Sequence, residues 1–144
     1  RRWSSSWTAC KLTFMFYAKA FIGTAIPFLV IDAAWIGFYL GDVYEKTVGH
    51  LMLETPNFGP AGVFYVVYVA GIVFLAVRPA IDTKKLSTAL INGGVLGALA
   101  YGTFTLTNHA VMQGWTIGLV VSDIAWGTLL TGISAACGYL FARR

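Results

Sequence analysis

Two long stretches of this chain, Gly59 to Val77 and Leu86 to Leu106, contain no charged residue. A helix needs about 20 mainly apolar residues to cross about 30 Å of hydrocarbon, and each stretch has that length. Ala20 to Leu40 and Thr116 to Phe141 are as long and as apolar, with one charge each, Asp32 and Asp123. None of the four runs alternates with period 2, and each is about twice as long as a barrel strand. Helix is then the reading that satisfies the backbone in lipid. The expected fold is all-α, an integral membrane four-helix bundle with spans at about 20–40, 59–77, 86–106 and 116–141.

The composition leaves little room for another class. Hydrophobic residues make up 58% of the 144 residues and charged residues 11%, where a soluble domain carries roughly 25% charge. Four spans consume nearly the whole chain, which divides into a basic interfacial segment at 1–19 and one membrane domain at 20–144. Pro56 and Pro60 bracket the start of the second span, and Arg78-Pro79 is expected to close it, a charge followed by a helix breaker. Pro27 lies inside the first span and is expected to kink it near Gly23.

With four spans, both termini and the middle loop share one side. That side carries Arg1, Arg2, Lys11, Lys19, Arg78, Lys84, Lys85, Arg143 and Arg144, and the other carries Lys46 alone. The bias places both termini on the cytoplasm-equivalent side, matrix or stroma in an organelle. The net charge of +4 is thus a matter of topology, and no nucleic-acid partner is expected. The start, Arg1-Arg2-Trp3-Ser4-Ser5-Ser6-Trp7, is basic, rich in Ser and followed by no acid before Asp32. It reads either as the trimmed edge of an organelle transit peptide or as a basic tail obeying the positive-inside rule. Lys11 to Phe21 is basic and aromatic, which suits the headgroup level.

Several residue types point to no chemistry. Cys10 and Cys137 both fall on the reducing side and are read as small apolar residues rather than a disulfide. His50 and His109 stand in the first and third loops without a second ligand at helical or loop spacing. They read as interfacial polar residues. There is no nucleophile elbow, phosphate-binding Gly loop or HExxH. The expectation is a non-enzymatic protein with no metal and no cofactor.

The intramembrane aspartates are the sharpest feature. A carboxylate at that depth is costly unless hydrogen-bonded, hydrated or protonated, so it faces the bundle interior. Asp32 precedes the end of its span by eight residues and Asp123 follows the start of its span by seven. Both therefore lie about 10–12 Å below the same surface. Asp32-Ala33-Ala34-Trp35 and Asp123-Ile124-Ala125-Trp126 repeat one pattern, with Asp and Trp on one helical face. Thr103, Thr105, Thr107 and Asn108 reach the same level on the third span and can hydrogen-bond a carboxylate. The predicted polar cluster is Asp32, Asp123, Thr105, Thr107, Asn108, Trp35 and Trp126, with Asn92 as the one polar candidate in the other leaflet. It reads as a proton or cation relay or as interhelical hydrogen bonding that holds the bundle together.

Glycine pairs four apart allow close helix approach: Gly37 and Gly41, Gly93 and Gly97, Gly114 and Gly118. Gly41 to Phe58 mixes charged and apolar residues as an interfacial amphipathic helix does.

These residues resemble a known family. Asp32-Ala33-Ala34-Trp35-Ile36-Gly37, Tyr44, Gly49-His50-Leu51, Phe64-Tyr65-Val66-Val67-Tyr68 and Val77-Arg78-Pro79-Ala80 are similar to the bacterial membrane-protein family catalogued as domain of unknown function 2177. Leu106-Thr107-Asn108, Gly114-Trp115 and Asp123-Ile124-Ala125-Trp126-Gly127-Thr128 continue the resemblance in order and spacing, over about 30–128. The resemblance implies four spans and no established activity. The family commonly has Tyr-Asp-Leu-Thr-Asn where this chain has Phe104-Thr105-Leu106-Thr107-Asn108, so one carboxylate is replaced by a hydroxyl.

That loss favours a structural role, and with the basic Ser-rich start it points to a bacterial-type protein recruited into an organelle complex; two functional expectations follow. The first is a non-catalytic accessory subunit of a large organellar membrane complex, respiratory rather than photosynthetic, whose partners are other membrane subunits and lipids. The mitochondrial inner membrane is its expected location, with thylakoid and bacterial inner membrane as alternatives. The second is a small proton- or cation-coupled transporter or channel that uses the two aspartates.

Overall fold

The computed structural model describes residues 3–143, and the side chains among them other than those of residues 3–10, Leu12 and Leu40. Arg1, Arg2, Arg144 and the side chain of Cys10 therefore lie outside the described residues. Six α-helices follow one another: α1 (Trp3–Trp35), α2 (Gly41–Val48), α3 (Phe58–Ile72), α4 (Arg78–Thr83), α5 (Leu86–Val111) and α6 (Ile117–Ala142). Among the described residues there is no strand. Wide π-helical turns at Ile36–Leu40 and Val73–Val77 follow α1 and α3, and a 3₁₀ turn at Gly49–Leu51 follows α2. Four stretches are long and apolar enough to cross a membrane: Thr13–Tyr39, Phe58–Thr83, Leu86–Val111 and Ile117–Ala142. The chain is an integral membrane helical bundle.

The span limits move in three places, one of them the end of the third span, which runs to Val111 rather than Leu106. The first span is continuous with the residues before it, because α1 runs unbroken from Trp3 through Pro27 to Trp35. The second does not stop at Arg78-Pro79 but continues to Thr83. Pro79 sits in the first turn of α4, directly after the π-turn, where a missing N–H costs little. The carbonyl four residues earlier, that of Leu75, instead accepts a hydrogen bond from Asn92 Nδ2 on α5 at 3.2 Å. Asn92 is thus a side-chain replacement for a backbone donor. The chain reverses one turn later, at Lys84, whose φ of 55° is left-handed, and the Lys85 N–H bonds the Ala80 carbonyl at 3.2 Å. This is the usual way a helix end satisfies its last carbonyls.

α6 is the hub, packed along most of its length on α5 and on α1. Small residues let the backbones close. A Cβ at Gly97 would overlap the Gly127 carbonyl, and one at Gly93 would stand 2.8 Å from the Ala135 Cβ. The Gly93 and Gly97 pair does what its spacing predicts. The other two pairs do not. No atom lies within 4 Å of a Cβ built at Gly37, and the one built at Gly41 meets only the Ile36 carbonyl of the same chain segment. Gly114 is a turn glycine with φ of 84° where a Cβ would stand 3.1 Å from the Thr47 carbonyl of α2, and at Gly118 the nearest atom is the Thr116 hydroxyl of its own helix start. Spacing missed Gly23 of α1, where a Cβ would stand 2.6 Å from the Phe141 Cβ, and two glycines on the hub: Gly127 lies against the Tyr101 ring and Gly138 against the Thr24 hydroxyl.

Two apolar cores result. The larger contains Phe28, Val69, Ile72, Val77, Leu130 and Ala135 and fills the half of the bundle nearer the termini. The smaller contains Val48, Trp115, Leu119 and Val120 and fastens α2 across the opposite end. α2 is the short amphipathic helix expected in the first loop. Large apolar side chains elsewhere point outward, Phe38 and Val111 among the most exposed, as a surface bathed in lipid allows.

Candidate functional site

The aspartates are buried, Asp32 at 6% and Asp123 at 4% exposure. A charge in a span costs about 2.5–3.5 kcal/mol at the helix centre, so its hydrogen bonds matter. Asp32 Oδ2 accepts from the Tyr65 hydroxyl of α3 at 2.8 Å, and Oδ1 accepts from Trp126 Nε1 of α6 at 3.2 Å. Asp123 Oδ2 accepts from the Tyr44 hydroxyl of α2 at 3.4 Å. The Thr105 hydroxyl of α5 lies beside the Asp123 side chain and accepts from Trp115 Nε1 at 3.0 Å. Trp115 is held in turn by its carbonyl, 2.7 Å from His109 Nδ1. The donors to the two carboxyls come from α2, α3 and α6.

The repeated Asp and Trp pattern is used in a crossed form. Trp126 serves the aspartate of the other helix, and its ring stacks on Trp35 with centroids 4.2 Å apart and planes 9° from parallel. Trp35 Nε1 is buried and has no partner among the described residues. Five of the seven predicted cluster residues therefore come together: Asp32, Asp123, Thr105, Trp35 and Trp126. Thr107 does not join them. It is exposed and donates to the Thr103 and Phe104 carbonyls of its own helix, the local bond that threonine makes readily within a helix. Asn108 makes no side-chain hydrogen bond to either aspartate among the described residues.

The two carboxyls face one space. A cavity of about 140 Å³ is lined by Asp32, Trp35, Tyr44, Tyr101, Asp123 and Trp126, together with Ile36 and Phe104. A larger cleft of about 350 Å³ shares Asp32, Tyr101 and Phe104 with it and adds Ala61, Phe64, Tyr65 and Ala100. The cleft exists because α3 and α5 meet at the Val73–Val77 turn and separate toward Phe58. Tyr44, outside the spans, has its phenol pushed up above the ordinary value near 10, chiefly by burial and further by the charge and hydrogen bond of Asp123. It stays a donor at any ordinary pH. No group of three His, Cys, Asp or Glu side chains is disposed to hold a metal ion among the described residues.

The model of a family described as predicted membrane protein, DUF2177, matches residues 17–140. The chain belongs to the DUF2177 family. The match extends past 30–128 at both ends, so all the residues of the site lie within the DUF2177 region. No curated protein and no solved structure matches the chain. Reasoning from sequence left three site residues of this DUF2177 chain without a role. Tyr44 and Tyr65 entered only as parts of family motifs, and Tyr101 not at all. The available signal was chemical: a tyrosine hydroxyl inside a bundle needs an acceptor, and the aspartates were the acceptors at hand.

Proposed function

We propose that this chain is a small proton- or cation-coupled transporter whose working residues are Asp32 and Asp123. The observation that carries this reading is the cavity between the two buried carboxyls. Hydrogen-bonded pairs that serve only as glue close on one another, since protein interiors pack without voids larger than a water molecule. A space in a membrane protein whose mainly aromatic wall carries two carboxyls can hold water or an ion. The residues that line it come from α1 and the turn after it, α2, α5 and α6, so movement of any of these helices alters it. The test is flux into liposomes reconstituted with the full chain. Proton or cation flux is expected in the wild type and is expected to disappear in Asp32→Asn and in Asp123→Asn; unchanged flux in both variants removes the proposal.

A second reading concerns the outside of the bundle and is compatible with the first. Gly37, Gly62 and Gly71 have open space where a Cβ would stand, and open glycine faces favour a neighbouring helix. On this reading the chain is an accessory subunit of a larger membrane assembly, respiratory rather than photosynthetic, in the mitochondrial inner membrane with both termini in the matrix. Co-migration with a large complex on native gels, identified by mass spectrometry, is the expected result. Migration as a free monomer from mild detergent argues against it.

A further inference from the structure

We infer that the larger cleft binds an organic ammonium ion, an amine carrying an apolar group, which enters sideways from the bilayer between α3 and α5. The inference rests on the reading of Asp32 as a working residue and names the class of cation it takes.

Volume is the first argument. A space of about 350 Å³ lies within the range of small-molecule pockets, roughly 300–1,000 Å³, and neither a proton nor a bare metal ion requires it. The walls are the second. Phe64, Tyr65, Tyr101 and Phe104 line the cleft, and Ala61 and Ala100 leave the room between them. Aromatic faces attract cations, quaternary ammonium above all, because ring electrons concentrate negative charge on the face. Charge is the third. The lining contains the Asp32 carboxyl and no Lys, Arg or His. Each Asp32 oxygen already accepts one donor and has a further lone pair to offer.

A divalent metal ion would need six or more oxygen ligands or a tight octahedral set, and the cleft offers one carboxyl and the tyrosine hydroxyls. Access is the last argument. Phe64 and Phe104 are about half exposed, at 49% and 51%, and form the rim where α3 and α5 part. A ligand arriving there comes through hydrocarbon, so it must carry apolar surface as well as charge. The smaller cavity beyond, with Trp35 Nε1 unpaired at its wall, leaves space for a short polar substituent that can accept a hydrogen bond.

The experiment is equilibrium binding of radiolabelled benzyltrimethylammonium to the purified full chain in maltoside micelles, which contain no ammonium headgroup. Saturable binding is expected, weakened at least about tenfold by Asp32→Asn and about threefold by Phe64→Leu. Neopentylbenzene, its neutral isostere, is expected not to compete. Phe64 stands at the rim, so its variant keeps the test valid if Asp32→Asn fails to fold. Non-saturable binding, equal affinity in folded Asp32→Asn, or equal competition by the neutral isostere overturns the inference. Added phosphatidylcholine separates two sources of the same chemistry. Displacement of the probe identifies a lipid headgroup and its absence a free amine, and either result supports the site. Aspartate-dependent flux of protons or inorganic cations without ammonium binding overturns this inference and leaves the transport reading standing. Asp32-dependent ammonium binding without flux of any cation does the reverse.

Discussion

Asp32 and Asp123 are held unequally. Asp32 has a tyrosine at 2.8 Å and an indole at 3.2 Å, both from helices of the main bundle. Asp123 depends in part on Tyr44, at 3.4 Å, from the short helix laid over the end. Tyr44 also packs edge-on against Trp115, with centroids 5.4 Å apart, so it joins the cover helix to the site. Its raised phenol pKa gives a signed pH effect. The folded protein disfavours the phenolate, so Tyr44 leaves stability unchanged below about pH 10 and lowers it as pH rises further. Thermal melts in detergent should show an alkaline loss of stability that is smaller in Tyr44→Phe than in the wild type. An equal loss in both would mean that Tyr44 is not the group responsible. The aspartates were legible in the sequence because an acid in an apolar run is rare and expensive. Their tyrosine partners were not, since a tyrosine near a span end looks the same whether it marks the interface or bonds a carboxyl several turns away in another helix.

At the level of elements, the contacts of α6 decide which small residues matter. Gly97→Val would drive a side chain into the Gly127 backbone and should destabilise the bundle by about 1–3 kcal/mol. Gly37→Val meets open space and should change the stability of the isolated chain by less than about 0.5 kcal/mol. Denaturant titrations of the two variants in micelles check the contrast, and similar losses would contradict this packing. The four spans were readable because apolar length is a direct requirement of the bilayer. Their detailed ends were not. The π-turns at Ile36–Leu40 and Val73–Val77 have no residue signature, and the wide turn before Pro79, with Asn92 bonded to Leu75, lets the helix pass a residue that ordinarily ends one. Glycine spacing within one helix likewise cannot say which neighbour it faces. Gly93 and Gly97 meet α6, while Gly37 and Gly41 meet no other helix.

Across the whole molecule the two ends differ. The end away from the termini holds the carboxyls, the two spaces that Asp32 lines and the cover helix. The half near the termini has a mainly apolar centre: Phe28, Ile72, Val77, Leu130 and Ala135 are fully buried there with Thr131 and Ser134 among them, and the Thr24 hydroxyl is turned back to its own Ala20 carbonyl at 2.8 Å. The spreading of α3 from α5, which makes the cleft, stops at the Val73–Val77 turn, so the space has a floor. The consequence is electrical. A molecule with no continuous aqueous path passes charge only by rearranging, and collective helix motions take microseconds to milliseconds or longer. Planar-bilayer recordings should therefore show no unitary current steps, and liposome flux should saturate with cation concentration; discrete openings would require a water-filled route through the Phe28 and Leu130 layer. On the proposed transport reading each conformational cycle delivers a fixed number of charges, and the macroscopic current is a count of cycles.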